Sequence, residues 1–360
     1  METLPRSPRR VGVLTFHGCI NYGSYWQARC LVEGLQARGH DAVILDHRSR
    51  RVNLVEWKCA YRPVLPTPVP RSDYPLYRQK IRAFFRALES LPVSRPFALE
   101  NPADMDPCDT VVVGSDEVWN LRHPWYGGCP LFYGTGLRAD RVIAYAASFG
   151  NYDGAAGLAP FWADRLRQFE AISVRDENSR RIISTALGVE PDLVLDPCLQ
   201  FPLEAQGEWY GPEEPFVAVY GHNFTGWFSA AVRCWARAHG YRLLSLGYRN
   251  DWADEQWITA GPHDFAHGMA RATAVATNFF HGCVFALRNA KPFVSELTPY
   301  RTIKVQDLLG AVGGLNRLVG PEAPDGAYAA ALGTPLEPAI VQRLDQLRRS
   351  SAAYLEEALV

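Results

Sequence analysis

Close cysteine pairs are missing from this sequence. Its eight cysteines (19, 30, 59, 108, 129, 198, 234 and 283) are scattered over 360 residues without one CxxC. Disulfide frameworks belong to short secreted chains and zinc sites need closely spaced ligands, so reduced, mostly buried thiols and no metal are expected. Cys283 beside His281 suggests a nucleophile, but it stands inside an expected helix, where packing is the simpler role. Long apolar runs are also absent, and nothing approaches the roughly 18–20 residues of a transmembrane helix. Charge of one sign is not in excess: 37 basic residues face 38 acidic ones, for a formal −1. That balance gives no bulk attraction to nucleic acid or membrane. The opening "METLPRSPRR" is basic, yet "VGVLTFHG" follows without a signal-like apolar stretch. A cytoplasmic protein is expected.

What is present is a strand–helix rhythm. "VGVLTF" is a continuous apolar run, as in a strand covered on both faces. Tyr25 to Ala37 has helical spacing, with Ser24 as expected N-cap and Gly39 as stop. "DAVILDH" is a second strand, so the start reads as a βαβ unit and a parallel sheet. Residues 61–75 are proline-rich loop, followed by a basic amphipathic helix whose Arg78, Lys80, Arg82 and Arg86 read as a solvated face. "DTVVVGSDEVWN", "DRVIAYAASFG", "FEAISVRDENS" and "PDLVLDPCLQF" are each an apolar strand ending in a polar or glycine-containing loop.

A turn-rich stretch, "GEWYGPEEP", then interrupts the rhythm before "FVAVYGHNF" restarts it. A chain of this length favours two cores over one. The expected division is 1–206, 207–330 and a terminal helix over 331–360. Two parallel sheets facing each other gather their carboxyl-end loops into one cleft.

The polar residues of interest fall at those strand ends. Asn21, Tyr22 and Gly23 precede a helix N-terminus that favours an anion, or simply form a capped turn. Ser115 and Asp116 follow "VVVG" and either cap the next segment, or Asp116 serves catalysis by accepting a proton or a substrate hydroxyl. Arg175 leaves the buried "AISV" strand and suits a phosphate or carboxylate, unless Asp176 holds it in a structural pair. Asn278, His281 and Gly282 stand where a buried strand becomes a helix. His281 suits proton transfer there, with a structural hydrogen bond as the alternative.

Taken in series, "NYGSYWQARCLVEGL", "VVVGSDEVWN", "AYAASFG", "ISVRDENS", "LVLDPCLQF" and "TNFFHGCVFALRNAKPFV" resemble the blocks of the polysaccharide pyruvyl transferase family, over about residues 11–305. The resemblance implies two Rossmann-like domains in a glycosyltransferase-B-like arrangement, with phosphoenolpyruvate (PEP) as donor and Arg175 and His281 in functional positions. Phe279, Glu117 and Cys198 depart from the serine, glutamine and threonine usual in the family, which leaves the acceptor open. The expected activity moves the pyruvyl group of PEP onto hydroxyls of a sugar or glycan as a ketal, without a redox cofactor. Arg175, Asn278, His281, Gly282 and Arg301 are expected on the donor side. Asn21, Tyr22, Gly23, Ser115, Asp116 and Trp119 are expected on the acceptor side, the tryptophans 119, 125 and 227 serving as sugar platforms or as plain packing. Two rivals stand beside this reading. A nucleotide-sugar glycosyltransferase would want a carboxylate about eight residues after the His-Gly junction, where "HGCVFALRNA" has Asn289 and no acid. A non-catalytic glycan-binding relative would want the arginine and histidine gone, and both are present.

Overall fold

The computed structural model describes residues 9–155, 157–297, 302–324 and 326–360. In the first half, β1 (Arg10–Leu14) leads into α1 (Tyr22–Gln36) and β2 (Asp41–Ile44). Two helices follow before the sheet resumes, α2 (Arg50–Tyr61) and α3 (Tyr74–Leu88). The sheet is completed by β3 (Cys108–Val113), β4 (Ala139–Ala147), β5 (Ala171–Val174) and, after α4 (Glu177–Leu187), β6 (Asp192–Leu193). The strands are parallel and lie in the order β2-β1-β3-β4-β5-β6. A short helix, α5 (Pro197–Gln200), closes this half.

The second half repeats the plan with β7 (Phe216–Tyr220), α6 (Gly226–Ala238), β8 (Arg242–Leu246), β9 (Glu255–Trp257) and α7 (Pro262–Arg271). It continues through β10 (Ala274–Thr277), α8 (Phe280–Arg288), β11 (Phe293–Glu296), α9 (Thr302–Val312) and β12 (Leu318–Val319). This sheet is also parallel, in the order β9-β8-β7-β10-β11-β12. The last helix, α10 (Pro338–Ala358), returns to the first half, where Tyr354 Oη donates to Ala144 O at 2.7 Å. Two Rossmann-like sheets with a C-terminal helix make the fold glycosyltransferase-B-like, as the resemblance implies.

The strand order reverses direction between β1 and β3 in one sheet and between β7 and β10 in the other. In open parallel sheets, ligands bind at such reversals, beyond the strands' carboxyl ends. The halves are held by α1, which is buried nearly all round because one face covers its own sheet and the other meets the second half. Trp26 Nε1 donates to Pro262 O at 2.9 Å and Tyr22 Oη to Ala260 O at 2.6 Å. The helix starts earlier than its spacing suggests: Asn21, not Ser24, is the N-cap, its Oδ1 accepting from Ser24 N.

Candidate functional site

A cavity of about 360 Å³ opens between the halves where both strand orders reverse. Loop ends from four strands reach it, carrying Asn21, Asp116, Arg175 and His281. It lies in the size range of small-ligand sites.

Arg175 leaves β5 almost fully buried, and its guanidinium joins two carboxylates. Nη1 donates to Asp196 Oδ2 at 2.8 Å and Nη2 to Asp116 Oδ1 at 3.1 Å. Its face lies over the Phe280 ring, 4.7 Å from the centroid. Burial works against the charge, and Asp116 and Asp196 overcome it, so the guanidinium is held more firmly protonated than usual. The expected partner Asp176 is occupied elsewhere: it caps α4 through Ser179 N and accepts from Ser148 Oγ. Asp116 is fully engaged as well, since Oδ2 accepts from Ser24 Oγ at 2.8 Å and Oδ1 from Glu117 N. It therefore organises the floor of the cavity rather than offering an open base.

His281 stands in the first turn of α8. Its Nε2 lies 3.6 Å from Asp196 Oδ2, beyond hydrogen-bond length but within reach of the carboxylate's charge. Burial acts to raise the Asp196 carboxyl, but the His281 ring and Arg175 outweigh it and hold it well below the ordinary range. The ring's opposite edge rests on Gly23 in α1, where a Cβ would fall 2.0 Å from Nδ1. Glycine at 23 is thus required by the approach of a side chain from the other half. Gly282 answers a similar need, since a Cβ there would fall 1.9 Å from Thr277 Oγ1.

Gly23→Ala consequently has a directional outcome. The added methyl overpacks the junction, at about 1–3 kcal/mol, and displaces the ring. A shift on the order of 1 Å at a reacting group costs up to ~10²-fold in turnover. Denaturant unfolding of the Gly23→Ala/His281→Ala double variant checks the cause, because removing the ring should return most of the lost stability.

Asp196, Cys198 and His281 bring one ligand atom each within 4.8 Å of one another, the one such group of three or more among the described residues. They do not fit a cation. Arg175 already neutralises the Asp196 carboxylate, and burial drives the Cys198 thiol well above its ordinary range.

Several lining groups escaped sequence reasoning. Asp196 is the first, since "LVLDPC" reads as a helix cap and the residue does cap α5. Lys80 is the second and corrects the solvated-face expectation for its helix. It is only 3% exposed and lines the cavity, its Nζ donating to Gly247 O at 2.9 Å and lying 4.2 Å from the Tyr248 ring centroid. Burial pushes its ammonium down to about 7 against the pull of Glu56. Burial likewise pushes the Glu56 carboxyl up to about 7, although Oε1 accepts from Ile20 N at 2.9 Å. Glu56 Oε2 is buried without a partner. Across the cavity, Lys304 pairs with Glu117; burial acts to raise that carboxyl, but Lys304 prevails and brings it to about 2.

Other expected residues are placed differently. Trp119 is buried in the first half's core, with Nε1 donating to Phe132 O, and cannot contact an acceptor. Ser115 is also fully buried; its Oγ donates to Ala146 O. Tyr22 packs between the halves against Phe265 and Phe84, away from the cavity lining. Asn278 and Gly282 lie behind the lining, where Asn278 Nδ2 donates to His222 O. Trp125 lines the cavity, whereas Trp227 packs on Tyr328. Cys283 is buried, its thiol pushed up to about 12, which removes it as a nucleophile. Arg301 falls outside the described residues.

The sequence profile of the polysaccharide pyruvyl transferase family matches residues 21–295, well over half of the chain. No curated protein matches significantly. Solved structures similar to this chain include the glycotransferase of kitacinnamycin, 15% identical, covering 98% of this chain and 96% of that one with a TM-score of 0.48. A putative UDP-N-acetylglucosamine 2-epimerase from Listeria monocytogenes is 12% identical, covers 98% and 91% of the two chains, and has a TM-score of 0.48.

Proposed function

We propose that this chain, which belongs to the polysaccharide pyruvyl transferase family, moves the pyruvyl group of PEP onto two hydroxyls of a sugar or glycan, releasing phosphate and leaving a cyclic ketal. The observation that carries this reading is His281, held at the cavity between Gly23 and Asp196, with Arg175 locking Asp196 in place. A proton-transfer group backed by an oriented carboxylate is what the donor's chemistry needs.

A proton from His281 adds to the methylene carbon of PEP, and positive charge develops at C2. An acceptor hydroxyl forms a C–O bond to C2, and its proton returns to the imidazole. The C2–O bond to phosphate then breaks, phosphate leaving with its electron pair. A second hydroxyl attacks C2 and closes the ketal, its proton passing to the departing phosphate. No electrons are exchanged with a cofactor. Arg175 acts by fixing Asp116 and Asp196; Lys80 supplies the positive charge that the donor's anionic groups meet. Asn21 and the N-terminus of α1 orient the acceptor.

The Lys80 assignment makes a pH prediction. Its folded-state pKa is depressed to about 7, so the charge an anion would meet fades above that value. PEP affinity is expected to fall by up to about tenfold per pH unit beyond about 7, and Lys80→Met to weaken binding at pH 6 and flatten that slope. Calorimetric titration at pH 6, 7 and 8 reads both. The activity itself is tested by incubating the protein and PEP with a panel of glycans and following pyruvylated product by mass spectrometry alongside released phosphate. Product and phosphate in equal amounts support the reading; transfer from a nucleotide sugar instead would overturn it.

A further inference from the structure

The α2–α3 pair, inserted between β2 and β3, presents a surface unlike the rest of this nearly neutral chain. Every exposed charged side chain between residues 50 and 88 is basic, and the only two acids there, Glu56 and Asp73, are buried. Arg78, Arg82 and Arg86 recur at helical spacing along the outer face of α3, with Arg50, Arg51 and Lys58 on α2. Among these cations stand large apolar side chains that nothing covers. Leu54 is 53% exposed and Val64 80%, and Trp57 and Phe85 are also exposed. The Trp57 and Phe85 rings meet edge to face, centroids 5.6 Å apart, which joins the two outer faces into one surface. Val64 and Pro63 also line the cavity, so this surface borders its rim.

We infer that the outer face of α2 and α3 docks on an anionic lipid bilayer. Basic side chains meet anionic headgroups while tryptophan and aliphatic side chains enter the interface between headgroups and acyl chains. A soluble polyanion would account for the arginines but leave Leu54, Trp57 and Val64 in water. A second copy using the same face would set like charges against one another. Only an anionic bilayer matches both the charge and the apolar character of the patch. The chain has no helix long and apolar enough to cross a membrane among the described residues, so the contact is peripheral.

Cosedimentation of the full chain with vesicles of phosphatidylcholine, with and without phosphatidylglycerol, tests it. Binding is expected only to the anionic vesicles and to weaken as salt rises. Leu54→Ser with Trp57→Ser should reduce partitioning on the order of tenfold or more, because two apolar side chains that would enter the bilayer are lost. Arg82→Glu with Arg86→Glu should do the same, and it keeps the test intact should the first variant misfold by thermal melting. Absence of binding to phosphatidylglycerol vesicles would overturn the inference. So would vesicle binding unchanged by the Leu54/Trp57 pair together with equally tight retention on heparin, which would assign the face to a soluble polyanion.

Discussion

Replacing His281 with alanine should lower turnover by roughly 10²-fold or more while leaving the protein folded, if the imidazole carries the proton to the donor. The expectation rests on position. The ring lies at the cavity, at the start of α8, with one edge on Gly23 of the other half and Nε2 facing Asp196. Truncating it opens space without stranding a strong ion, because Asp196 keeps its bond to Arg175 at 2.8 Å. Stability should therefore change far less than rate. Steady-state kinetics separates the roles: a proton carrier loses kcat, whereas a residue that only shapes the pocket raises KM with kcat preserved. Asp196→Asn should fall between, because the imidazole remains but loses its orienting charge. Turnover unchanged in His281→Ala would remove the histidine from the mechanism.

Arg175→Met should produce the largest loss of stability of any single change at the site. Its side chain is 2% exposed and bridges two carboxylates, Asp116 and Asp196. Removing one partner of a buried ion pair typically costs about 3–5 kcal/mol, because the remaining charge is left without compensation. The pH dependence identifies the cause. Asp196 is depressed in the folded protein, so its contribution is complete above the unfolded carboxyl value of about 4 and is lost as pH falls below it. Without Arg175 the buried carboxyl is no longer held down to the same degree. The variant's deficit should narrow on acidification as Asp196 takes up a proton. Urea unfolding at pH 7 and at pH 4 measures this, and a deficit independent of pH would mean that lost packing on Phe280, not charge, sets the cost.

The fold was legible because its strands are covered on both faces. "VGVL" and "TVVV" are nearly continuous apolar runs, and the turns after them gather the polar residues at the sheets' carboxyl ends. His281 and Arg175 could be singled out on that ground alone. Asp196 was not, because an aspartate before proline at a helix start looks like a cap, and its second role depends on residues 21 and 85 positions away. Lys80 was missed for a related reason. Its helix shows an amphipathic period, but the period does not say that Gly247 and Tyr248 from the other half cover that side chain. Helix α2 buries little beyond Val52 and Glu56, so its apolar pattern was too weak to announce it. Trp119 failed in the opposite direction, a residue suited to stacking on a sugar that the first half's core absorbs.

Thermal melting against PEP, and separately against UDP, GDP and dTDP, tests the donor assignment most directly. A ligand that binds only the folded state adds about 2.7 kcal/mol at 100 times its dissociation constant, enough for a clear rise in melting temperature. A rise is expected with PEP, none with the nucleotides, and a weaker rise in Lys80→Met. A rise with a nucleotide and none with PEP would contradict the donor assignment and make the cavity a nucleotide-sugar site.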